Sequence, residues 1–187
     1  IWLDNESGQA IFEYLKACLI SAASHALPVA VLHVSTGFHP PAISEIGIKR
    51  IQSLVDTAEK QGIVLALENL RRLDYLDYVF ENVQSPALGF CYDSGHDLLY
   101  AAEPYLLLDK YGDRLKALHL HDNKGAMDEH LMPGEGKLDW SIIKSKLKEH
   151  WRGAYMLECQ NYGRDIKRTS AKDYLQKAFS KALELLS

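Results

Sequence analysis

The sequence predicts an α/β protein with helices packed over a parallel sheet. Three observations predict it. Short β-branched, apolar runs alternate with segments of helical period along the whole chain. The connections between them are short, as in strand–helix–strand units. The apolar runs are dense rather than alternating, as strands covered on both faces must be. No low-complexity stretch or linker interrupts the 187 residues, so a single domain over 1–187 is expected.

The elements follow in order. Residues 8–26, GQAIFEYLKACLISAASHA, repeat apolar side chains at helical spacing through Ile11, Leu15, Leu19, Ala22 and Ala23. Asp4, Asn5 and Ser7 stand before them as N-cap candidates. A β-branched run, PVAVLHVSTG, follows at 28–37 and closes on Gly37. Helical period returns over 43–61 through Ile43, Ile46, Ile51, Leu54, Val55 and Ala58, with Gly62 where a C-cap belongs. IVLALEN, 63–69, is the second strand. Residues 73–83 read as helix and LGFCYDSGH, 88–96, as the third strand. A helix over 104–115 leads to KALHLHD, 116–122, the fourth strand. A long loop, a helix near 139–149, a fifth strand AYMLEC at 154–159 and a last helix over 169–186 complete the chain. Two architectures fit this pattern: an open doubly wound sheet, or part of a (β/α)8 barrel. Five strands cannot close such a barrel, which typically takes ~250 residues.

Composition excludes several classes. Apolar residues make up 47% and charged residues 25%, ordinary for a globular protein. A net charge of −4 gives no basic footprint, and Lys124–Gly125 with Arg164 are too little for a phosphate-binding strip, so nucleic acid is disfavoured as a partner. Cys18, Cys91 and Cys159 are few and odd in number, which argues against a disulfide framework and for a cytoplasmic location. No apolar run approaches the ~20 residues of a membrane span, and no signal peptide is visible. An exposed sheet edge would invite pairing, which leaves a homo-oligomer open.

The informative residues stand at or just beyond the strands. The first run holds His33; the second ends in Glu68; the third reaches Asp93, with His96 three residues on. The fourth carries His119, His121 and Asp122, and the fifth ends in Glu158. Strands of a parallel sheet end on one edge, where barrel active sites are built. Taken singly, each residue has an ordinary explanation as a helix cap, surface charge or core histidine. Taken together, they are an oxygen-rich set with one or more imidazoles. Carboxylates gathered in this way repel one another, and a divalent cation offsets that repulsion. Mn²⁺, Mg²⁺, Co²⁺ or Zn²⁺ suits such donors.

The segments LALEN, YDSGH, LHLHDN…DEHLMPGEGKLDW and YMLE resemble the xylose isomerase-like TIM-barrel superfamily over about residues 28–165. That group includes sugar isomerases and epimerases, inosose-processing enzymes and endonuclease IV. The resemblance implies that this chain carries barrel strands four to eight and that the N-terminal strands lie outside it. It implies one divalent ion held by Glu68, Asp93, His119 and Glu158. Glu68 and Glu158 would move protons as base and acid through a metal-stabilised enediolate of a small sugar or sugar phosphate. His96, His33, Asp128 and His130 fall at substrate-binding positions. Tyr92, Trp140 or Phe38 would supply an apolar wall, while His121 and Asp122 brace the loop. The alternative within the same resemblance is an endonuclease IV-like enzyme, in which His33, His96, Asp128 and His130 hold further metal. A catalytically inactive, truncated barrel is a third reading.

Overall fold

The computed structural model describes residues 1–161 and 169–186; Arg164 lies outside them. They form two compact units, Ile1–Cys91 and Tyr92–Ser187, whose boundary falls inside a strand.

The first unit opens with α1, Glu6–Ser24, capped by Asn5, whose side chain accepts from the Gly8 N–H at 2.8 Å. Its inward side chains start from Gly8 and include Phe12 and Leu19, while Ile11 is exposed. The expected repeat thus holds at Leu19, with Leu15, Ala22 and Ala23 half-buried, and fails at Ile11, beside which Phe12 turns inward. Gly8 is closely approached: a Cβ there would lie 2.1 Å from the Leu3 carbonyl oxygen and 2.8 Å from the Arg50 guanidinium. The side of the helix with no side chain at that point makes the close approach.

β1, Val29–Leu32, is shorter than the expected run of 28–37. Beyond it the Val34 carbonyl accepts from the Trp2 indole at 2.7 Å instead of a neighbouring strand. α2, Glu45–Gln61, starts at the Ser44 cap and ends at Gly62, whose φ of 70° is the left-handed geometry expected there. Ile51, Leu54, Val55 and Ala58 on this helix are fully buried. β2, Val64–Glu68, pairs in parallel with β1, Val29 opposite Val64 and Leu32 opposite Leu67. β3, Leu88–Asp93, pairs in parallel with β2, Leu65 opposite Leu88 and Glu68 opposite Cys91. All of β3 and all but the first residue of β2 are buried, as dense apolar runs require. α3, Leu73–Asn82, covers them with Tyr75, Leu76, Val79 and Phe80; the Phe80 ring meets Phe90 edge-on.

The second unit begins with the last two residues of β3. The strand stops at Asp93 and not at His96, because the Asp93 carboxylate accepts from the His96 N–H at 2.7 Å and starts α4, Ser94–Tyr100. α5, Leu106–Tyr111, and a 3-10 turn, Gly112–Arg114, lead into β4, Leu115–His119, which neighbours β3 in the sheet. The fifth strand expected over 154–159 is reduced to one parallel bridge between Leu120 and Leu157. Leu120 donates to Met156 and accepts from Glu158, but the next donor, Gln160, turns to the His130 carbonyl in the loop, so the ladder does not extend. Four strands, not five, are among the described residues. α6, Trp140–His150, is capped by Asp139 and buries Ile143 and Leu147; α7, Ala171–Leu186, buries Leu185. Among the described residues no helix is long and apolar enough to cross a membrane. Among the described residues no disulfide joins Cys18, Cys91 or Cys159.

Candidate metal centre

In the first unit, two of the singled-out residues meet. Glu68 closes β2 and is buried; its Oε2 lies 3.1 Å from Nε2 of His33, just past β1. The His33 side chain is 54% exposed and lines a cavity of about 450 Å³ with Leu3, Ile11, Leu32 and Pro40.

In the second unit, Asp93, His119 and Glu158 offer ligand atoms that all lie within 4.8 Å of one another. The first two stand at the ends of β3 and β4, and Glu158 follows the Leu157 bridge. His119 Nδ1 is 3.0 Å from Glu158 Oε2. Asp93 is fully buried, and one of its oxygens is fixed by capping α4. Two carboxylates and an imidazole converging from separate elements, one carboxylate buried, make a donor set that a divalent cation fits.

Three further residues converge beside them. His96 Nε2 lies 3.1 Å, and His130 Nε2 3.3 Å, from Asp128 Oδ2. Two imidazoles thus stand close to one carboxylate oxygen. Partial burial alone would raise the Asp128 carboxyl, but the His96 hydrogen bond and the nearby His96, His130 and His121 rings outweigh it and hold it below its ordinary value. His130 takes a positive φ of 47° and donates from Nδ1 to the Glu158 carbonyl at 2.7 Å, and its Nε2 faces Asp128.

His121 is fully buried. Its Nε2 lies 3.0 Å from Asp93 Oδ1 and 3.1 Å from Oδ2. Burial opposes its charging, but the hydrogen bond and charge of Asp93, with Asp128, prevail and raise its pKa. Asp122 is the hub of the loop. Its carboxylate accepts from the N–H groups of Asn123, Gly134, Gly136 and Leu138 and from the Trp140 indole, at 2.9–3.2 Å. The GEGKLDW segment is therefore a backbone wrapped around one buried carboxylate.

The expected apolar wall is not assembled in these positions. Tyr92 is fully buried and donates to Asp97 at 2.8 Å; Trp140 is held by Asp122; Phe38 is exposed, with the Arg71 guanidinium 4.0 Å from its ring. Sequence reasoning missed Asp97 and Gly95. Asp97 is fully buried and accepts from Tyr92 and from the Tyr105 N–H at 2.7 Å. Burial pushes its carboxyl up to about 6. The available signal for Gly95 was its place between a capping Asp and a His in YDSGH.

A family profile described as xylose isomerase-like TIM barrel matches residues 4–183. The uncharacterised protein y4fM of Sinorhizobium fredii is 31% identical over 191 residues, covering 95% of this chain and 60% of its own length. Fructoselysine 3-epimerase of Escherichia coli O157:H7 is 32% identical over 98 residues, 48% of this chain and 36% of that protein. This chain thus spans three-fifths or less of both relatives. The crystal structure of the IOLI protein with a zinc atom is similar in fold, with a TM-score of 0.73 at 18% identity, covering 99% of this chain and 72% of that one.

Proposed function

This chain belongs to the xylose isomerase-like TIM barrel family, and on that premise we propose that it acts as a divalent-metal-dependent sugar or sugar-phosphate isomerase or epimerase. In this reading its strands are barrel strands four to seven, and the Leu157 bridge marks the eighth. The observation that carries it is the convergence of Asp93, His119 and Glu158 within 4.8 Å. Glu68 joins them as the fourth ligand on the strength of the resemblance. The similarity to fructoselysine 3-epimerase supports a sugar as substrate.

A bound Mn²⁺, Mg²⁺, Co²⁺ or Zn²⁺ would supply Lewis-acid polarisation of neighbouring substrate oxygens. The chain's own residues do the rest. Glu158 has one oxygen beside His119 Nδ1, and its carboxylate takes the proton from the substrate carbon. Glu68, held by His33, returns a proton as the matching acid. His96 and His33 hydrogen-bond substrate hydroxyls, and the loop bearing Asp128 and His130 completes the sugar's surroundings.

The test is solvent-deuterium incorporation into candidate ketoses and their phosphates, with metal content measured on the same sample. Glu158→Gln is expected to lower exchange by at least about 100-fold. Exchange at the parental rate would remove Glu158 from the mechanism. A second reading, metal-dependent phosphodiester hydrolysis, rests on the approach of His96 and His130 to Asp128 Oδ2. It requires more than one bound cation and cleavage of DNA at abasic sites; a single cation and intact DNA would dismiss it.

A further inference from the structure

The second unit holds two groups of ligand-type residues. One is the strand-end set of Asp93, His119 and Glu158; the other is Asp128 with His96 and His130 against its Oδ2. His121 touches both. Its Nε2 sits against Asp93 and lies 3.7 Å from Asp128 Oδ1. Its ring stacks on His130, centroids 4.0 Å apart and planes 16° from parallel. It meets the His96 ring edge-on at 5.9 Å.

The placement of this ring is fixed from several sides. Ser94 Oγ donates to the His121 carbonyl at 2.6 Å and lies 3.0 Å from the His121 N–H. Gly95 makes the room: a Cβ there would lie 2.0 Å from His121 Cε1. His121 Nδ1 is buried against that position, and among the described residues it has no hydrogen-bond partner. Asp93 and Asp128 are like charges on the same imidazole, the first fully buried and the second 31% exposed. The Nε2–H hydrogen-bonds Asp93, faces Asp128 Oδ1 from 3.7 Å and so orients the first carboxylate and offsets part of the repulsion between the two. Carboxylates oriented by such an outer hydrogen bond meet a cation already in place.

We propose that His121 is a positioning residue. It fastens the loop of Asp128 and His130 to Asp93, so that the loop is held in its ligand-presenting conformation before any cation binds. The cation part of this inference rests on the metal-dependent reading above; the fastening itself does not.

The experiment is amide hydrogen exchange of the metal-free protein, followed by calorimetric titration with Zn²⁺ and Mn²⁺. His121→Phe keeps a ring for His130 and removes the N–H. His121→Gln restores an N–H at comparable reach. In His121→Phe, amides of 124–131 are expected to exchange about tenfold faster, the effect of one buried charge-assisted hydrogen bond, with α7 unchanged. Zn²⁺ affinity should fall by about tenfold in the same variant, and both effects should recover in His121→Gln. Parental exchange over 124–131 in His121→Phe overturns the proposal, as does uniform acceleration of the whole second unit in both variants. If His121→Phe does not fold, Gly95→Ala displaces the ring without altering a ligand atom. It must reproduce the faster loop exchange, and parental exchange there overturns the proposal. A parent protein that binds neither cation sinks the metal-dependent reading, while the exchange result still decides the role of His121.

Discussion

Gly136 donates its N–H to Asp122 Oδ2 at 3.0 Å, and a Cβ at position 136 would lie 2.2 Å from Asp122 Oδ1. Space and hydrogen bonding are thus set together. Five donors converge on this one fully buried carboxylate. Asp122→Ala strands them and should destabilise the protein by about 3 kcal/mol or more. Gly136→Ala should destabilise by about 2 kcal/mol, since the neighbours it meets are backbone and a fixed carboxylate. Urea midpoints measure both. An alanine at 136 that leaves the midpoint unchanged would refute the close approach.

A second prediction concerns pH. Burial raises the Asp97 carboxyl to about 6 from 3.8, despite the opposing hydrogen bonds from Tyr105 and Tyr92. The folded state therefore holds the proton more tightly than the unfolded chain. The stabilisation is complete below about pH 4 and is lost as pH rises through about 6. Asp97→Asn removes this loss. Relative to the parent, its unfolding free energy should gain on the order of 3 kcal/mol between pH 4 and pH 8. Denaturant titrations at the two pH values give this difference directly, and parallel changes in both proteins would rule out a buried titrating Asp97.

The cysteines should differ sharply in reactivity. Burial, with the charges of Glu135, Asp122 and Glu158, pushes the Cys159 thiol up to about 12. Cys18 is exposed on α1. At pH 8, iodoacetamide should alkylate exposed Cys18 well before Cys159, which burial keeps as the unreactive thiol. Peptide mass spectrometry after timed quenching reads the ratio. Comparable rates would mean that Cys159 is not enclosed.

Much of this was legible in the sequence because it depends on local chemistry. Gly62 announces the end of α2, and the dense runs at 64–68 and 88–93 announce strands buried on both faces. What escaped depends on partners distant in sequence. Tyr155, Met156 and Leu157 have strand composition, yet Gln160 bonds to His130 and the ladder stops. Ile11 fits the helical period as Leu19 does, yet Leu19 is buried and Ile11 exposed, with Phe12 inward in its place. Within the site, residue type and strand-end position singled out Asp93, His119 and Glu158. The tie from His121 to Asp93 was invisible, because it needs the gap left by Gly95. Asp97 gave no signal, since its interest lies in being buried.

Asp93 serves the first turn of α4 and the imidazole of His121 at once. This narrows what evolution or an engineer can place there. Asparagine keeps an oxygen for the helix but gives up the negative charge that a cation needs. Glutamate keeps the charge but is one methylene too long to end the strand and start the helix in the same residue. Neither of the closest chemical neighbours of aspartate is a neutral replacement at position 93.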